Sequence, residues 1–188
     1  MKKFIALFLV FSLLALSGNS FTSVLQVKEE FQARLLEPSW GTFRAMKLII
    51  SVESYTSAQE VFQLRKIFNE RGYNQFRRAF REMNKGHVRP TGGHGLKIIL
   101  HAAQSTQMDS GRRILVVAVT QSWKPMDGGL RYDSRFPFMF IELKFDTKGK
   151  GTGRVYLHAD IKLTSQGNIE IASYFSAPIP LFNVSALK

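Results

Sequence analysis

The hydrophobic period changes twice along this chain, and that change constrains its fold more than any motif does. From Phe43 to Val52 the residues alternate: Met46, Leu48, Ile50 and Val52 share one side of a strand, and Ala45, Lys47, Ile49 and Ser51 share the other. From Val61 the spacing lengthens to that of a helix, with Val61, Leu64, Ile67 and Phe68 on one stripe. Ser57-Ala58-Gln59-Glu60 fits a capping box, in which Ser57 and Glu60 satisfy each other's backbone amides. Gly72 is placed to end this helix, because a left-handed conformation costs glycine little. Asn74 can cap a second helix carrying Phe76, Ala79, Phe80 and Met83, which Gly86 ends. So short a turn predicts two antiparallel, packed helices.

After Gly86 the period returns to that of strands. Leu96 to Ala103 and Arg112 to Thr120 are rich in apolar and β-branched residues, with a turn at Asp109-Ser110-Gly111. Phe138 to Asp146 and Arg154 to Leu163 form a hairpin around the turn segment 147–153, and Ile169 to Phe175 adds another strand. Matching apolar faces pairs Ile141, Leu143 and Phe145 with Ala159, Leu157 and Val155, which sets Glu142 opposite His158. At the start of the domain, Val24, Val27 and Phe31 look like strand positions and Pro38 ends the piece; Leu181, Phe182 and Val184 near the C-terminus can return to the core. The expected fold is α+β: a mainly antiparallel sheet of about six or seven strands with a two-helix hairpin packed on one face.

The N-terminus gives an address. Lys2 and Lys3 precede a thirteen-residue run, Phe4 to Leu16, that is apolar except for Ser12 and is followed by Ser17-Gly18-Asn19-Ser20. This is the layout of a signal peptide over residues 1–20, with cleavage after Ser17 or Ser20. The run is shorter than the roughly 20 residues a membrane-spanning helix needs, although an uncleaved anchor is the alternative. The protein is therefore expected to be exported, to the periplasm or the outside, with residues 21–188 forming one domain. The chain contains no cysteine, so that domain has neither disulfides nor thiolate metal sites and must be held by its own core. With 45% hydrophobic and 12% aromatic residues it has enough apolar surface to fold.

Without Lys2 and Lys3, 24 basic side chains stand against 14 acidic ones, a net of +10 that favours anionic partners. The densest basic cluster is Arg77, Arg78, Arg81 and Lys85, opposite the apolar stripe of the second helix. Guanidinium groups fork onto phosphate or carboxylate, so this face is a candidate anion-binding site, and a solvated helix back is the plain alternative. No aromatic residue interleaves with these arginines, and specific nucleic-acid binding is not expected. Phe138, Phe140, Tyr156 and Tyr174 make the second face of the sheet partly apolar. Either another layer covers them or they form an apolar ligand face.

Signals for catalysis are weak. His87, His94 and His101 recur every seven residues, but no HExxH, paired carboxylate or thiolate accompanies them, so no metal site or cofactor is expected. Gly149-Lys150-Gly151-Thr152-Gly153 lacks phosphate-loop spacing and reads as a hairpin turn. No nucleophile motif is present, and no catalytic residue is assigned.

Arg112-Arg113-Ile114, Trp123-Lys124-Pro125, Ser134-Arg135-Phe136-Pro137-Phe138, Ile141-Glu142-Leu143 and Asp146 with Gly149, Gly151 and Gly153 resemble an uncharacterised family of exported bacterial proteins. The resemblance covers most of residues 21–188. It implies a secreted domain and carries no activity or ligand. The expectation is an exported, non-catalytic binding or accessory protein of the cell envelope, contacting anionic polymer or lipid, with peripheral membrane contact compatible. Two alternatives stand beside it. One is an envelope hydrolase using His94, His101 or a Glu142–His158 pair. The other is an assembly subunit whose exposed strand edge or aromatic face pairs with another chain; the sequence leaves the oligomeric state open.

Overall fold

The computed structural model describes residues 28–39, 42–91, 97–119 and 136–187. The expected leader, Val24, Val27, His94 and the segment around Trp123 lie outside them. The strands are β1 (Glu29–Ser39), β2 (Thr42–Val52), β3 (Gly86–Pro90), β4 (Ile98–Leu100), β5 (Ala102–Met108), β6 (Gly111–Val119), β7 (Phe138–Asp146), β8 (Gly151–Leu163), β9 (Ile169–Tyr174) and β10 (Ile179–Leu187), and the helix is α1 (Ala58–Glu82). All ten strands belong to one sheet in the order β4-β3-β2-β1-β10-β8-β7-β6-β5, with β9 added beside β8. Every pairing is antiparallel.

The sheet closes on itself at His101. Strands β4 and β5 end the pairing order on opposite sides, yet only His101 separates them in the chain. The Leu100 carbonyl accepts from Lys85 N, next to β3, while His101 N donates to the Val117 carbonyl of β6. In a trans peptide the C=O and N–H point in opposite directions, so β3 and β6 flank opposite edges of one strand. The outcome is a barrel, and its interior is a packed core. Phe31, Ala33 and Leu35 of β1, Leu48, Ile50 and Val52 of β2, and Ile141, Leu143 and Phe145 of β7 all point inward, as the two-residue period requires. Along β1, β2 and β3, Glu30, Gln32, Arg34, Lys47, His87 and Arg89 alternate with inward residues and take the outer wall. Among the described residues no helix is long and apolar enough to cross a membrane.

A second apolar cluster lies outside the barrel, where Val61, Leu64, Phe76 and Phe80 of α1 cover Leu115, Val117, Phe138, Phe140 and Tyr156. The capping box forms as read: Glu60 N donates to Ser57 Oγ at 3.2 Å, and Ser57 N donates to Glu60 Oε2 at 2.8 Å. Gly72 sits inside α1 rather than at its end, with φ 78° and ψ 175°. A straight helix of this length would be about 37 Å long. Instead Lys85 Nζ, three residues beyond the helix, lies 2.6 Å from Glu60 at its start, so α1 bends back on itself at Gly72.

The expected α+β domain with six or seven strands and a two-helix hairpin is thus corrected, among the described residues, to a ten-stranded antiparallel sheet with one helix. Three features account for the added strands. The short piece Gly86–Pro90 and the proline-containing tail Ile179–Leu187 both pair, and the strand at 96–103 divides at His101. The helix count falls because one non-helical residue, Gly72, makes the reversal, so the two helical segments on either side of it run together as one bent element.

Candidate functional site

The second half of α1 carries the arginines. Arg77, Arg78 and Arg81 line a shallow depression of about 530 Å³ together with Asn74 and Glu82. Their placement follows from the helical stripe: Phe76 and Phe80 point into the outer cluster, and the arginines take the other side. The Arg77 guanidinium also lies 5.8 Å from the centre of the Tyr73 ring, a cation–π contact. Lys85 does not join them. It is bonded to Glu60 at 2.6 Å with its side chain only 12% exposed. Burial pushes the Glu60 carboxyl up, but hydrogen bonds from Lys85 and Ser57 outweigh it and hold the carboxyl below its ordinary range.

The four aromatic residues separate. Phe138, Phe140 and Tyr156 are buried, and only Tyr174 stays exposed. The covering layer is α1: the Phe80 ring meets Phe138 edge-on at 5.3 Å, and Phe76 lies 6.2 Å from it. Phe138, Phe140 and Tyr156 therefore form core between helix and barrel and offer no ligand face. Tyr174 packs edge-on against Tyr156 at 5.3 Å.

An apolar groove absent from the sequence reading lies beside this covered area. It measures about 290 Å³ and runs between α1 and the β8–β9 pair, lined by Phe68, Phe76, Ile161, Leu163 and Ala172 with Arg65, Asn69 and Lys162 at its margins. Phe68 is 44% exposed here although it belongs to the apolar stripe. Its position four residues before Gly72 was the available signal, since a helix that reverses leaves its last apolar residue overhanging the sheet.

The histidine-based alternative loses its acid–base pair. The β7–β8 register places Glu142 opposite Arg154, four residues from the expected partner His158, or about 13 Å along the strand. Glu142 instead accepts from Arg113 Nε at 2.7 Å, and Lys144 Nζ lies 3.5 Å away. The shift arises at the turn. Asp146 Oδ1 accepts from Lys148 N and Lys150 N, closing it within residues 147–150. Gly151 and Gly153 become strand residues, where an added Cβ would approach Val184 O within 2.6 Å and Glu142 O within 2.7 Å. His158 is buried, and neither ring nitrogen has a hydrogen-bond partner. His101 is buried against Phe80, its ring stacked at 5.8 Å; burial, then the nearby Arg81 charge, lowers its pKa to about 4. His87 Nδ1 lies 3.4 Å from Glu53 Oε1. Among the described residues no group of three carboxylate or imidazole side chains is arranged to hold a metal ion.

The described surface thus offers three arginines around one depression and, across Tyr73 and Phe68, an apolar groove with basic margins. Such a surface can hold a negative charge and shelter an apolar group. Compared with known proteins, the chain matches no family model, no curated protein and no solved structure.

Proposed function

We propose that this is an exported, non-catalytic binding or accessory protein of the cell envelope, which contacts anionic or amphiphilic ligands through the second half of α1. The carrying observation is the gathering of Arg77, Arg78 and Arg81 around one depression, on a domain with a net charge of +10 once the leader is removed. Export rests on the leader-like first twenty residues. A periplasmic or extracellular setting supplies matching partners in anionic lipid and acidic polymer.

Co-sedimentation with phosphatidylglycerol vesicles over rising salt tests the reading. Each basic side chain near an anionic surface contributes about 1 kcal/mol, so the triple variant R77Q/R78Q/R81Q should bind about a hundredfold more weakly. Wild-type binding should also fall as salt screens the contacts. Binding that ignores both salt and the triple variant would overturn the proposal.

One observation favours a second reading, an assembly subunit. Among the described residues β9 pairs only with β8, and Phe175 at its end is 64% exposed. An open edge of this kind can accept another strand. Light scattering tests it, and a monodisperse monomer at high concentration would refute it.

A further inference from the structure

We infer that the groove between α1 and β8–β9 binds the alkyl chain of a free, single-chain amphiphile with an anionic head group, a molecule of the fatty-acid class. This deepens the binding reading above by naming a ligand class and a second place on the same surface.

The groove has a roof, a floor and charged margins. Phe68 and Phe76 form the roof, their rings edge-on at 5.7 Å. Ile161 and Leu163 of β8 and Ala172 of β9 form the floor. The floor is low because Ala172 contributes a single methyl group and is itself exposed. Phe76 is fully buried, whereas Phe68 leaves 44% of its surface in water, so an occupant would complete an apolar enclosure that the chain leaves half-built. The volume of about 290 Å³ lies just below the roughly 300–1,000 Å³ range of ligand pockets. That favours one chain over a two-chain lipid or a bulky ring system.

Charge selects the head group. Arg65 and Lys162 stand at the margins, and both are cationic. Lys162 also contacts Glu170 at 3.1 Å on the exposed surface, which leaves Arg65 as the main anchor. A guanidinium offers a carboxylate two parallel hydrogen bonds, and a neutral alcohol offers no charge in return. The alkyl chain supplies the affinity and the arginine orients it.

Equilibrium dialysis of radiolabelled octanoate, decanoate and dodecanoate against the whole protein tests this, each kept below its micellar concentration. Binding should saturate at one molecule per chain. It should tighten about tenfold for each added pair of methylenes until the groove is full. Ala172→Trp, which fills the floor from an exposed strand position, should weaken dodecanoate at least tenfold; Phe68→Ser, which removes the roof, should do the same. Arg65→Glu should weaken dodecanoate while leaving dodecanol nearly unchanged. Circular dichroism identifies any variant that fails to fold, and the other then carries the comparison. Non-saturable uptake, or equal binding by folded Ala172→Trp and wild type, overturns the inference. If dodecanoate fails to bind while salt-sensitive vesicle binding persists, the groove assignment falls and the broader reading survives. If both are absent, both fall.

Discussion

Acid should loosen this protein through one residue, His101. The residue is 7% exposed, its Nδ1 has no hydrogen-bond partner, and one face of the ring stacks on Phe80 where α1 meets the strand that closes the barrel. Burial disfavours the imidazolium, and the Arg81 charge adds to this, so the folded pKa lies at about 4 against an ordinary 6.5. Between those values the unfolded chain takes up a proton that the folded chain refuses. The contribution is therefore complete above about pH 6.5, declines as pH falls, and is exhausted below about pH 4. At about 1.4 kcal/mol per pKa unit the loss is about 3 kcal/mol. The assay is urea unfolding from pH 7.5 to 4 at constant ionic strength, on wild type and His101→Phe. Phenylalanine keeps the stack and cannot titrate. His87, whose pKa burial and then Lys97 also depress, is common to both proteins and cancels in the difference. On lowering the pH, wild type should lose about 3 kcal/mol relative to the variant. Curves that stay parallel within about 0.5 kcal/mol would refute the reasoning, because the ring would then be ionising as freely in the barrel as in the unfolded chain.

Three further outcomes follow from the geometry. Gly72→Ala should cost about 1–3 kcal/mol in a thermal or urea melt, since φ 78° with ψ 175° suits glycine alone and no atom lies within 4 Å to be clashed with; a variant as stable as wild type would count against the bend. Arg112 spans the barrel end, donating to both Glu29 oxygens at 2.8 and 2.9 Å and to the Tyr55 hydroxyl at 3.0 Å. Arg112→Ala should destabilise by about 1–2 kcal/mol, a figure discounted for a side chain one-third exposed, and lysine should not rescue it because a point charge cannot make the paired bonds. At the same site burial, then the Glu29 charge, raises the Tyr55 phenol to about 12, so absorbance at high pH should show a tyrosine ionising near that value.

Local features were legible from the residues. The Ser57–Glu60 cap, the inward set Leu48, Ile50 and Val52, and the limits of β7 are all fixed by neighbours a few positions apart, and they stand as read. The three arginines fall on one helix side for the same reason. The pairing of β7 with β8 was different in kind. A displacement of four residues keeps every inward side chain inward, so alternation cannot distinguish the two registers. The hydrogen bonds of Asp146 and the space at Gly151 and Gly153 choose between them. Closure of the sheet rests on the opposed directions of one peptide unit, Leu100–His101, and nothing in the apolar pattern reports where that strand finds its second neighbour. The burial of Phe138 and Phe140, and the groove under Phe68, depend in turn on where α1 bends and comes to rest. Periodicity is a property of adjacent residues and is written in the chain. Register, closure and cover are agreements between distant segments, and they are reached only when the chain is packed.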